Sequence, residues 1–311
     1  MPATHDVVDH AEQSIAVGSK SFAAAAKLFA PETRESAVLL YAWCRHCDDV
    51  IDGQELGHGQ VDGDRRAGRE RLAELERLTR AAYGDEPLQD PAFAAFQRVV
   101  RRHGIPLALP LDHLAGFRMD VEERIYVELE DTLEYCYHVA GVVGVMMARI
   151  MGAEDEETLD RACDLGMAFQ LTNIARDIVE DARIGRIYLP RLWLDEVGVP
   201  AGELAEPRHR EAVAQLAERL VRLAEPYYDS ARQGIAALPL RSAWAIATAR
   251  GVYREIGVQV LHLGSHAWDQ RVSTSTADKL RLVCRGAARA MLSRHQRDEP
   301  RPTDLWTRPR R

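Results

Sequence analysis

Helical periodicity, with no competing strand signal, is the feature that most limits what this chain can fold into. Apolar residues recur three and four apart in long segments rich in Ala, Leu, Glu and Arg, near 11–29, 32–53, 66–83, 91–103, 110–122, 130–151, 156–182, 208–235 and 240–264. That spacing lines one face of an α-helix, and the period-two alternation of a strand is nowhere sustained. Breaks fall at turn formers, from Gly84 to Pro87, from Gly104 to Pro106 and from Val197 to Gly202, and none is long enough to be a domain linker. A chain of 311 residues can bury a sizeable core without staples. The expectation is one all-α domain over residues 1–311. Residues 53–64, GQELGHGQVDGD, carry four glycines and little apolar content, so a lid-like loop is expected directly after Asp52.

Several function classes are disfavoured at once. The formal charge of −8 provides no whole-chain attraction to nucleic acid. The longest uncharged apolar run, residues 139–148, has ten residues, about half of what a spanning helix needs. Cys44, Cys47, Cys136, Cys163 and Cys284 are an odd number in apolar segments, and the opening residues show no secretory pattern. Free thiols in a cytoplasmic setting are therefore expected. The end of the chain, RHQRDEPRPTDLWTRPRR, sets six arginines against three acids and three prolines. Over about 295–311 it reads as a frayed tail, with contact to an anionic membrane as the alternative.

The densest chemistry lies in WCRHCDDVID, residues 43–52. On a helix, Tyr41, Arg45, Asp48 and Asp52 fall at i, i+4, i+7 and i+11, along one face and about 16 Å from end to end. Leu39, Leu40, Trp43, Val50 and Ile51 occupy the other faces. A helix apolar on most sides is buried, so the polar stripe is expected to face an internal cavity. Residues 169–181, FQLTNIARDIVED, repeat the pattern, with Gln170, Asn173, Asp177 and Asp181 at i, i+3, i+7 and i+11. Two such stripes facing one another would crowd carboxylates that need cations between them. Magnesium suits them, because it takes oxygen ligands and commonly binds through a few carboxylates plus substrate phosphates. A diphosphate substrate follows, with Lys20, Arg45 and Arg271 as further cations and the Ser19 and Ser21 hydroxyls as donors. A solvated face and surface ion pairs are the plainer readings of each feature taken singly.

Zinc or redox chemistry at Cys44 and Cys47 fits poorly, since they sit three apart in a helical segment and no second pair completes four ligands. His46 and His138 read as satisfied core histidines. In YCYHVAGVVGVMM, residues 135–147, Ala140, Gly141 and Gly144 leave space either for close helix packing or for a tunnel that takes a long hydrocarbon tail. GVVG follows no strand, so it is no dinucleotide fingerprint and no NADPH requirement is expected.

Taken together, GSKSF (18–22), YAWCRHCDDVID (41–52), GFRMD (116–120), YCYHVAGVVG (135–144) and FQLTNIARDIVEDARIGRIYLP (169–190) resemble the squalene/phytoene synthases, and most closely the bacterial phytoene synthases. The likeness runs from about residue 8 through VYREIG (252–257) and AWDQRVST (267–274) to PRPTDLW. It implies an isoprenoid-synthase helical bundle around a central cavity and magnesium-dependent, or manganese-supported, coupling of two prenyl diphosphates through their first carbons. By resemblance, Asp48, Asp52, Asp177, Asp181 and Asn173 hold the metal, with Gln170 beside them. Ser19, Lys20, Ser21, Tyr41, Arg45, Tyr253 and Arg271 match phosphate contacts. Phe22, Tyr135, Val139, Ala140, Val143, Gly144, Met147, Leu165 and Phe169 match the walls of the prenyl pockets. Peripheral association with the inner membrane and contact with other carotenoid enzymes accompany this reading. The competing readings are a dehydrosqualene synthase, a chain-elongating prenyltransferase or terpene cyclase sharing the DDxxD pattern, and a non-catalytic prenyl-diphosphate carrier or scaffold.

Overall fold

The computed structural model describes residues 25–53, 65–295 and 299–310, and all regular structure among them is helical. The α-helices are α1 (Pro31–Asp52), α2 (Arg65–Ala81), α3 (Pro91–His103), α4 (Ala108–Val121), α5 (Leu129–Cys136), α6 (Val142–Ile150), α7 (Glu156–Arg183), α8 (Arg191–Val197), α9 (Arg210–Gly234), α10 (Leu240–Leu263) and α11 (Thr276–Leu292). The lid-like loop expected at 53–64 lies outside the described residues beyond Gly53. The first expected helix, 11–29, lies outside them up to residue 24.

Local chemistry sets the helix ends. Pro31 opens α1 after the extended Ala30, and Gly53 closes it at φ 62°, a left-handed conformation that glycine adopts without strain. Asp90 accepts from the amides of Ala92 and Phe93 to start α3, and Asp155 accepts from that of Thr158 to start α7, satisfying amides the helix leaves unpaired. The 28 residues of α7 span about 42 Å. It is the helix the others surround, packing against α5, α6, α9 and α10. Trp43 of α1, fully buried, stacks on Phe96 of α3 with ring centroids 4.1 Å apart.

Three departures from the sequence reading stand out. The segment expected as one helix over 130–151 is α5 and α6 joined by a π-turn, Tyr137–Gly141. Helix α11 was absent from the expected set. The frayed tail is the third, and it is wrong for the described residues 299–310. Arg301 donates to both carboxylate oxygens of Asp164 at 2.8 and 2.7 Å, Arg308 reaches Asp160 at 2.8 Å, and Arg310 reaches Asp160 at 2.8 Å and Glu156 at 2.7 Å. Glu156, Asp160 and Asp164 stand four apart on α7, so they form one acidic line for the tail's arginines. Leu305 is buried and the Trp306 amide donates to the Tyr227 hydroxyl at 3.1 Å.

Candidate active site

Helices α1, α4, α6, α7 and α10, with the π-turn, border a cavity of about 980 Å³. Its apolar wall is Val139 and Ala140 from the π-turn, Val143, Gly144 and Met147 from α6, and Leu165 and Phe169 from α7, with Tyr135 beside them. Phe169 stacks on Tyr253 of α10 at 4.0 Å between centroids. The glycines are there for contact between backbones. A methyl group at Gly144 would run into the Ala162 carbonyl, and one at Gly166 into the Ala140 carbonyl. Packing and cavity lining, posed as alternatives for this segment, are both realised.

The polar part of the lining holds Tyr41, Arg45 and Asp48 of one stripe and Gln170 and Asn173 of the other, together with Arg271. Asp52, Asp177 and Asp181 are not in the lining itself. Asp52 is paired with Arg186 and Asp177 with Arg176, and both arginines do line the cavity. Arg45 bridges Asp48 at 3.0 Å and Asp49 at 2.9 Å. Arg271 reaches across from the segment after α10 to Asp177 at 3.3 Å and Glu180 at 3.6 Å. Asn173 donates to the Gln170 side-chain oxygen at 3.3 Å. Ser19, Lys20, Ser21 and Phe22 lie outside the described residues.

Electrostatics record how crowded the acids are. Burial, and then the neighbouring Asp52, push the Asp48 carboxyl up to about 6, with Arg45 pulling it back. Burial and then Asp177 push Asp181 up to about 7, with Arg186 opposing. Arg186 thus acts on acids of both stripes and bonds Asp52. Burial also raises the Tyr41 hydroxyl to about 12, so it keeps its proton and is available as a donor.

The donors are all carboxylate or amide oxygens, the set a hard dication takes. Among the described residues no three acids, imidazoles or thiols converge at metal-ligand spacing, and arginines hold Asp48, Asp52 and Asp177 instead. Magnesium needs only one or two carboxylates when substrate phosphates and water complete its shell. The donor set therefore fits a cation that arrives with a diphosphate. Burial pushes the Cys44 and Cys47 thiols up, away from the thiolate that zinc requires. His138 is held by the Asp112 backbone carbonyl at 2.7 Å, as a core histidine would be.

Asp120 and Arg186 also line the cavity and were not singled out from sequence. Asp120 accepts from the Tyr135 and Tyr188 hydroxyls at 3.2 and 3.1 Å, and those two rings stack at 4.5 Å. Burial raises the Asp120 carboxyl to about 7 against the pull of Arg186. The signal was present, since Asp120 closes GFRMD and Arg186 and Tyr188 lie in GRIYLP. What spacing along the chain could not convey is that α4, α5 and the turn after α7 meet there. Arg176 and Lys279 line the cavity as well.

The family model described as squalene/phytoene synthase matches residues 15–278, and the chain belongs to that family. It is 57% identical over 303 residues to a 15-cis-phytoene synthase of Pantoea ananas, covering 97% of this chain and 98% of that one. To a 15-cis-phytoene synthase of Enterobacter agglomerans it is 59% identical over 293 residues, covering 94% and 99%. Among solved structures, a dehydrosqualene synthase in complex with ligand superposes with a TM-score of 0.81 at 28% identity, covering 91% of this chain and 96% of that one. Among the described residues no helix is long and apolar enough to cross a membrane.

Proposed function

We propose that this chain is a phytoene synthase of carotenoid biosynthesis, which joins two geranylgeranyl diphosphates head to head and releases both diphosphates. The observation that carries the reading is one largely apolar cavity of about 980 Å³ whose lining also holds Tyr41, Asp48, Gln170 and Asn173 together with Arg45, Arg176, Arg186 and Arg271. Relatives named 15-cis-phytoene synthase, matching nearly end to end, support the forty-carbon product.

Asp48, Asp52, Asn173, Asp177 and Asp181 would hold magnesium, with manganese as a substitute. The bound cation neutralises diphosphate and stabilises the charge that develops as its C–O bond breaks. Arg45 and Arg271 add charge-assisted hydrogen bonds to the leaving oxygens, and Tyr41, Gln170 and Tyr253 orient the group. Ser19, Lys20 and Ser21 serve the same group by resemblance. Loss of the first diphosphate leaves an allylic cation, whose carbon 1 is attacked by the 2,3-double bond of the second substrate. Proton loss closes a cyclopropane that still carries one diphosphate. Ionisation of that intermediate, rearrangement and loss of a second proton leave the central triene, so no reductant enters the balance. Tyr135, Val139, Ala140, Val143, Gly144, Met147, Leu165 and Phe169 form an apolar wall that keeps water from the cations, a role that Phe22 shares by resemblance.

We read residues 1–311 as one domain, a reading supported by an apolar core continuous from Ala26 to Leu305. A cytoplasmic location, with peripheral contact to the inner membrane and to other carotenoid enzymes, suits a product that only lipid dissolves. The test is incubation of purified protein with magnesium and either farnesyl or geranylgeranyl diphosphate, with and without NADPH. The expected outcome is a forty-carbon hydrocarbon with a central conjugated triene from the longer substrate, two diphosphates released per product, and no mass change with NADPH. Preference for farnesyl diphosphate, one diphosphate per product, or a gain of two hydrogens would overturn the reading.

A further inference from the structure

A second cavity, of about 410 Å³, opens between α9, α10 and α11, and Ile235 alone lines both it and the central cavity. Four arginines border it, Arg232, Arg250, Arg254 and Arg289, against two carboxylates, Glu225 and Asp229. A surplus of two positive charges around a small cavity is unusual in a chain whose net charge is −8.

The partners on hand do not absorb that surplus. Arg250, only 5% exposed, donates to the Tyr228 backbone carbonyl at 2.7 Å and to Asp229 at 3.2 Å, while Asp229 itself is largely solvated. Arg254 takes Glu225 at 2.8 Å. Among the described residues Arg232 and Arg289 have no carboxylate partner, and the Arg232 Nε is buried with no acceptor. Burial, and then the neighbouring Arg289, lower the Arg250 guanidinium to about 10. Burial and then Arg285, Arg232 and Arg254 lower that of Arg289. Like charges left this close call for an anion between them.

We propose that this cavity is a binding site for a phosphate-bearing anion, separate from the catalytic cavity. A phosphate or diphosphate group supplies two negative charges or more, matching the surplus, and several oxygens for the guanidinium forks of Arg232, Arg250 and Arg289. The same chemistry is offered by free diphosphate, which the proposed reaction releases, and by an anionic lipid headgroup.

Calorimetric titration of the full chain with inorganic diphosphate, in EDTA so that the acidic stripes lack their cation, tests the site. Saturable binding is expected, weakened at least about tenfold in Arg232→Gln/Arg289→Gln and kept in Arg271→Gln, which alters only the catalytic cavity. Arg289→Gln alone, at an exposed position, should move affinity in the same direction and guards against misfolding of the double variant. Flotation with vesicles of phosphatidylglycerol in phosphatidylcholine separates the sources. A headgroup site floats the wild type, releases it to excess diphosphate and fails in the double variant. A site for the free anion binds diphosphate with no such flotation. Absence of binding up to about 1 mM, undiminished affinity in the double variant, or loss confined to Arg271→Gln would each overturn the proposal.

Discussion

Replacing Arg301 by alanine should destabilise the whole fold, although the residue lies ten positions from the end of the chain. Arg301 grips both oxygens of Asp164, whose side chain is fully buried while that of Arg301 is 15% exposed. Removing one partner of a buried pair costs about 3–5 kcal/mol, because the other charge is left without compensation. Ser230 still donates to Asp164, which offsets part of that cost and leaves about 2–3 kcal/mol. At about 2.1 cal/mol/K per residue, that is about 3–5 °C in melting temperature for a chain of this size. Circular dichroism melting of the wild type, Arg301→Ala, Arg301→Lys and Arg301→Ala/Asp164→Asn measures it. Lysine should rescue only part of the loss, since it keeps the charge but not the two-pronged contact. The double variant should lose less than Arg301→Ala, its buried carboxylate having gone. The pH dependence has a definite sign. Burial already raises the Asp164 carboxyl above its ordinary range, and loss of Arg301 raises it further. An acid whose folded-state value lies above its unfolded one costs stability as pH rises beyond about 4, and the cost disappears below that. The penalty of Arg301→Ala should therefore be larger at pH 8 than at pH 5. A melting temperature within about 1 °C of wild type at pH 8 would return the tail to a frayed end and sink the reasoning.

Asp48→Asn and Asp177→Asn should each lower turnover by at least about a hundredfold while leaving the circular dichroism spectrum unchanged, because leaving-group stabilisation is lost and the fold is not; turnover within a factor of a few of wild type would remove them from the reaction. Cys44→Ala/Cys47→Ala should keep most of its activity and bind no zinc, as plasma emission analysis of the purified protein can establish. Gly144→Ala should cost about 1–3 kcal/mol through collision with the Ala162 carbonyl, seen as a lowered urea midpoint with both prenyl substrates affected alike. Arg186→Gln leaves Asp52 without its partner and should raise KM for the diphosphate substrate, whereas a melting loss with unchanged KM would make that pair structural.

Where the chain could be read in advance, the reason is local. Tyr41, Arg45 and Asp48 sit on one face of α1 because a helix puts residues three and four apart together, and the same rule brought Gln170 and Asn173 into the cavity. All the proposed apolar wall residues within the described segments border that cavity. The misses are relational. Arg176 and Arg186 look like ordinary basic residues until α7 and the turn after it are set against α1. The tail's arginines look solvated until the line Glu156, Asp160 and Asp164 is seen facing them. Helix α11 hid because its buried residues, Leu282, Gly286 and Ala290, make a stripe one residue wide, and two of the three are too small to stand out as apolar.

The glycine contacts between α6 and α7 bear on how such a cavity can change over evolutionary time. With Gly144 set against the Ala162 carbonyl and Gly166 against that of Ala140, the two backbones are too close for either helix to drift, so this side of the cavity is a cast part. Helix α10 contributes Ala245, Ile246 and Ala249 to the same lining, and its own glycines, Gly251 and Gly257, meet only side chains. Mutations that lengthen or shorten the space for a hydrocarbon tail should accumulate on α10, and lineages diverging in product size should differ there while keeping both glycines.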